Sequence, residues 1–241
     1  MNNKVKLVLL TSLLVSGTVF GEENEDKNTD GWKGSGEVGV SNTSGNTDTQ
    51  SVNIALSGER SAELWTYLLD FSIQYKADDG TSTAEKYFVQ AKAGRKLGDR
   101  DYLFGLINHE DDKFSGFNYQ SNLIGGIGTR FLNDATMTLD GEAGLGVRFN
   151  EIDTGKSSNE LILRLAGDYN WEISKTSAFQ QTLSIEPGQD ITVIRSYTAL
   201  SANVADNLAM KASFEVKYSS DVPVGKDKTD TTTLLSLVYD F

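Results

Sequence analysis

Cysteine is absent from the chain. That excludes disulfides, thiolate nucleophiles and cysteine metal sites. Proline is nearly absent, with two residues, Pro187 and Pro223, each in a polar stretch near a glycine. Histidine occurs once, at His109, so a multi-histidine metal centre is excluded. Basic charge is in deficit: 22 Lys and Arg against 34 Asp and Glu give a net charge of −12. Phosphate backbones need a basic footprint, so nucleic acid is excluded as a partner. No apolar run in the chain approaches the roughly 20 residues of a transmembrane helix.

What is present begins with Lys4 and Lys6, followed by Leu7 to Val15, which only Thr11 and Ser12 interrupt, and then small residues up to Gly21. This layout predicts a secretory signal peptide over residues 1–21. Residues 22–31 are acidic and almost free of apolar side chains, the composition of a disordered tail. From 32 to 241 the texture is constant, with no linker and no sustained helical period.

That texture is alternation. Leu161, Leu163, Leu165, Tyr169, Trp171 and Ile173 alternate with Glu160, Arg164, Asp168, Asn170 and Glu172. Leu208, Met210, Ala212, Phe214, Val216 and Tyr218 alternate with Lys211, Ser213, Glu215 and Lys217. Side chains of a strand point to opposite faces, so each segment has one apolar and one charged face. Such segments run 32–42, 47–60, 64–77, 84–97, 102–111, 117–132, 136–150, 160–173, 178–186, 191–204, 208–219 and 229–241. The fold class expected is all-β, a closed antiparallel transmembrane β-barrel of about 12 strands.

Connections and aromatics support this. Turns after even-numbered strands are short, as at Asn133-Asp134, whereas those after odd-numbered strands are mostly longer, as at 151–159 and 220–228. Outer-membrane barrels sort their loops in this way. Trp32, Trp65, Tyr102, Phe131, Trp171 and Tyr239 fall near the short-turn rim, and Tyr75, Tyr87, Phe117, Tyr119 and Tyr218 near the long-loop rim. Trp32, Trp65, Tyr102, Trp171 and Tyr218 are therefore expected in two interfacial girdles. In the last strand Leu235, Leu237, Tyr239 and Phe241 share a face. A strand ending in an aromatic carboxylate is similar to the signal read by the outer-membrane barrel assembly machinery.

The opposite faces are charged. Alternation assigns Lys33, Lys76, Lys86, Lys92, Lys96, Arg130, Arg148, Arg164, Arg195, Lys211 and Lys217 to the lumen. Glu37, Asp70, Asp140, Glu142, Glu160, Asp168, Glu172, Glu215 and Asp240 face them in near balance. Unpaired ions in a dry core cost several kcal/mol each, so the interior is expected to be wet, salt-bridged or both. Barrels of about 8 strands are filled and those of 16–18 hold a channel, so a narrow passage or plugged lumen is expected.

The opening Trp32-Lys33-Gly34-Ser35-Gly36-Glu37-Val38-Gly39-Val40-Ser41, then Ser44-Gly45-Asn46-Thr47, resembles that of the salt-induced outer membrane protein family, an uncharacterised domain family. Asp112-Lys113-Phe114-Ser115-Gly116-Phe117, Gly126-Ile127-Gly128-Thr129-Arg130-Phe131 and the stretch from Asp230 to Phe241 are also similar to it. The resemblance implies a barrel in the outer membrane of a Gram-negative bacterium. It brings no catalytic or ligand residues.

Three function classes follow: a narrow pore or structural envelope barrel, an outer-membrane enzyme using His109, and a soluble periplasmic β-barrel binding protein. An exposed apolar edge strand would make the third aggregate. The second rests on His109, with Ser115 and Asp111 as its available partners, and an exposed rim histidine is the simpler expectation. Acidic pairs such as Asp78-Asp79 and Asp111-Asp112 lack calcium-loop spacing and read as solvated loop charge. No catalytic residue, metal or cofactor is assigned. Expected partners are outer-membrane lipids, lipopolysaccharide and the assembly machinery.

Overall fold

The computed structural model describes residues 31–44, 49–78, 81–113, 115–152 and 155–241. The expected signal peptide, and the acidic tail up to residue 30, lie outside the described residues. The strands are β1 (Trp32–Ser44), β2 (Thr49–Ser61), β3 (Trp65–Asp78), β4 (Thr81–Lys96), β5 (Asp101–Asp112) and β6 (Phe117–Asn133). They continue as β7 (Met137–Ile152), β8 (Ser157–Ser174), β9 (Ser177–Pro187), β10 (Thr192–Ala205), β11 (Leu208–Ser219) and β12 (Thr229–Asp240). Each pairs with its sequence neighbours, and β1 closes on β12, giving a barrel of 12 strands. The closing register runs from Ser35 opposite Asp240 to Ser44 opposite Thr231, and both strands are antiparallel. Every strand thus has a neighbour on each side, so no edge of hydrogen-bonding groups is left open.

Alternation fixes which face is which. Val40, Leu123, Ile127, Leu145, Leu161 and Leu235 stand on the outside, each more than half exposed. Such a continuous apolar surface is far larger than a water-soluble monomer carries. The inner face holds the ions, together with two apolar clusters. Phe104, Leu106, Ile124 and Ile162 form one, with Tyr102 packed against it. Phe117, Ile191 and Val193 form the other, with Ile152 against it.

The first cluster rests on glycine. A Cβ on Gly126 would lie 2.8 Å from the Phe104 ring, and one on Gly128 would lie 2.2 Å from the Tyr102 ring. The glycines of β6 thus clear space for the aromatic rings of β5. Tyr102, expected in a girdle, consequently points into the lumen. Phe117 also turns inward rather than outward. The register shifts between Phe117 and Tyr119 insert an extra residue in β6 and reverse the facing at its start.

Loop sorting is weaker than the sequence suggests. β4 begins at Thr81 and β8 at Ser157, inside segments expected to be loops, and among the described residues only the 220–228 connection is long. Strand pairing satisfies backbone groups whether or not the side chains meet lipid, so the ladders run on past the apolar band.

Candidate functional site

The lumen is crossed by ion pairs. β5 delivers Glu110 to the inner face near its loop end, where the side chain is buried. Lys217 of β11 donates to Glu110 Oε1, and also to Gln120 Oε1 at 3.3 Å. Arg195 of β10 donates to Glu110 Oε2 at 2.9 Å. Lys86 of β4 stands 3.5 Å from the same oxygen and 3.6 Å from Asp112. Arg195 also reaches Glu215 at 3.4 Å. Three cations from three strands therefore meet one carboxylate. Contacts between β5 and β10 or β11 can only pass through the interior, because these strands are not neighbours.

A second knot centres on Arg148 of β7, which is 1% exposed. Its guanidinium donates to Glu160 at 3.2 Å, Glu186 at 3.0 Å, the Ile191 carbonyl at 2.9 Å and Asn122 at 3.2 Å. Glu160 Oε2 accepts the backbone N–H groups of Asp190 and Ile191 at 2.8 and 3.1 Å. The connection after β9 is thereby drawn down against the inner wall. Arg164 of β8 joins through Glu186. Placing this many ions out of water is tolerated only because each finds partners.

Further expected lumen residues pair with one another or with neighbouring polar groups. Lys92 pairs with Glu142, whose Oε1 also accepts the Tyr102 hydroxyl at 2.8 Å. This contact turns the Tyr102 ring toward the interior. Lys211 pairs with Glu37, which also accepts the Ser236 hydroxyl at 2.5 Å. Arg130 holds Asp140 in a two-pronged contact at 2.7 and 2.8 Å. Asp70 accepts from Gln90 at 3.1 Å and Asp168 from Thr182 at 2.6 Å. The side chain of Lys76 lies outside the described residues.

Trp32, Trp65, Trp171 and Tyr218 stand on the outer face, as do Leu235, Leu237, Tyr239 and Phe241. Sequence reasoning missed Glu110, Asp112 and Glu186 as lumen groups. Glu110 shares a face with Tyr102, Phe104 and Leu106. Both faces of β5 are largely apolar, so its alternation carries no sign.

His109 lies on the outer face of β5, near the loop rim. Ser115, offered as its partner, is buried and donates to the Asp112 carbonyl at 3.0 Å. Instead His109 Nδ1 is 2.7 Å from the hydroxyl of Ser121. Among the described residues no group of three or more His, Asp or Glu is arranged to hold a metal ion.

Known proteins share this architecture. Residues 36–241 match the family described as protein of unknown function, DUF481. The chain belongs to this family. It is the family that the Trp32 to Ser41 opening resembles. Within reach of this DUF481 chain by sequence is the uncharacterized protein YdiY of Escherichia coli (strain K12), 27% identical over 213 residues, or 86% of this chain and 82% of YdiY. The solved NanC porin superimposes with a TM-score of 0.59 at 10% identity, covering 86% of this chain and all of that one (100%). The translocator domain of the autotransporter NalP from Neisseria meningitidis gives 0.53 at 9% identity, covering 90% of each chain. At these identities the likeness is one of fold, a closed antiparallel β-barrel.

Proposed function

We propose that this chain is a narrow passage for ions or small solutes in the outer membrane of a Gram-negative bacterium, with Glu110 and its three cations as the constriction. The apolar outer face supports membrane insertion, since lipid is the solvent that such a face suits. Trp32, Trp65 and Trp171 toward one rim and Tyr218 toward the other have the placement of interfacial anchors. Leu235, Leu237, Tyr239 and Phe241 supply the outward stripe read during assembly.

The observation that carries the reading is the clasp of Glu110 by Lys217 and Arg195 across the lumen. It narrows the interior at one level and leaves that level close to neutral, because Asp112 and Glu215 offset the remaining cations. A near-neutral constriction discriminates weakly by charge and mainly by size.

Recording from the refolded barrel in a planar bilayer tests this. Small discrete conductance steps are expected. A folded, inserted barrel without conductance would make this a structural envelope protein.

A further inference from the structure

The barrel wall carries a hydroxyl and a base that the lumen does not use. His109 and Ser121 stand directly opposite in the β5–β6 register. Both face outward. Ile107 and Leu123, the next residues on that face of each strand, are more than half exposed. The Ser121 hydroxyl and His109 Nδ1 are 2.7 Å apart. The Tyr119 ring stacks on the imidazole at 5.8 Å between centroids, with the planes 30° apart, and fixes its plane. The imidazole borders a cleft of about 360 Å³ that Asp111, Lys113, Asn118 and Tyr119 also line.

These groups have separable chemical uses. In the imidazole tautomer protonated on Nε2, Nδ1 accepts the serine proton, which is how a base turns a hydroxyl into a nucleophile. Asp111 is two residues along the same strand face and borders the same cleft. Lys113 carries positive charge into the cleft. Its pairing with Glu85 raises its pKa and keeps it protonated.

Depth selects the substrate. Tyr87 lies opposite Asp111, and Phe149 lies opposite Ser121. His109 is thus set among the aromatics of the loop rim. Aromatic girdles mark the headgroup level of a bilayer, which is also where acyl chains join their headgroups through esters. A lipid reaching the wall sideways brings its ester carbonyl to this level.

We propose that Ser121 and His109 form a lipid-facing hydrolytic site for acyl esters of membrane lipids. Ser121 Oγ adds to the ester carbonyl while its proton passes to His109. The C–O bond to the lipid alcohol breaks, and the alcohol leaves with that proton. Water, deprotonated by His109, then adds to the acyl carbonyl, the C–Oγ bond breaks, and His109 returns that proton to Ser121 Oγ as the fatty acid leaves. The site rests on the membrane placement proposed above and is independent of conduction.

The test uses the full chain refolded into vesicles of phosphatidylethanolamine and phosphatidylglycerol. Flotation and faster migration unheated than boiled report insertion and folding. A fluorescent fluorophosphonate reports the nucleophile, and release of free fatty acid reports turnover. The adduct is expected on Ser121, with loss in Ser121→Ala and no change in Ser115→Ala. His109→Gln is expected to slow labelling on the order of a hundredfold, the usual worth of a general base. A floating, folded wild type without adduct would overturn the site and leave the pore untouched. An adduct or fatty-acid release that persists in Ser121→Ala would overturn it too. A barrel that does not float would remove the membrane placement itself.

Discussion

Lys217 and Glu110 meet in the middle of the barrel from opposite walls. β11 and β5 are six places apart in a closed ring of 12 strands, and 107 residues separate the two side chains in sequence. A contact of this kind ties the two halves of the wall together and occupies the space through which a solute would pass. In the proposed passage this contact is the narrow level, near the loop rim. Below it, Lys92 with Glu142 and Arg130 with Asp140 coat the wall.

The second knot bears on stability. Arg148 is buried and donates to two carboxylates and a carbonyl. Arg148→Met removes the cation and leaves Glu160 and Glu186 with less compensation. Breaking a buried pair in this way costs about 3–5 kcal/mol. Urea unfolding of the barrel in lipid should show that loss, together with a looser connection after β9. A change below about 1 kcal/mol would mean that water replaces the guanidinium, as at an exposed pair.

The turn between β6 and β7 gives a pH dependence outside the wall. Asp134 Oδ1 accepts the N–H groups of Thr136 and Met137 at 2.9 and 2.7 Å. These two donors hold the Asp134 carboxyl below its ordinary pKa. Its folded value lies below its unfolded one, so the stabilisation is present above the ordinary carboxylate range and is lost as pH falls through the lowered value. Asp134→Ala should weaken the barrel at neutral pH, and the gap to wild type should close in acid. A gap that stays constant with pH would show that the carboxylate charge is irrelevant there.

Phe241 bears on assembly. It is exposed beyond β12, and its carbonyl accepts the N–H of Gly34 at 3.4 Å. Phe241→Ala should lower the amount of assembled barrel in cells, measured by heat-modifiable migration. Refolding in detergent should suffer much less, because one aromatic supplies only part of the buried apolar area. Equal losses in both settings would make Phe241 a packing residue and not a recognition signal.

How much of this was legible in the sequence depends on contrast between strand faces. In β8 and β11 one face is apolar and the other charged, so alternation alone assigned Arg164, Asp168, Lys211 and Glu215 to the lumen side. In β5 Leu103 and Ile107 oppose Phe104 and Leu106, and Glu110 hides at the end of a face that reads as apolar. Tyr102 was misassigned for the same reason, since proximity to a rim does not say which face an aromatic takes. Phe117 was misassigned because a bulge shifts the count by one. The cross-lumen partners were not legible at all. No local pattern joins Lys217 to Glu110, because only closure of the ring brings those walls together.

The central claim is that Glu110 and its cations set the constriction, and ion selectivity reads it directly. Reversal potentials across a salt gradient should give the wild type a weak preference for cations from its acidic mouth, fading as salt screens the field. Glu110→Gln leaves Lys86, Arg195 and Lys217 facing only Asp112 and Glu215, an excess of positive charge at the narrow level. That variant should prefer anions. Unchanged selectivity and conductance in Glu110→Gln would contradict the account and place the limiting barrier elsewhere in the lumen.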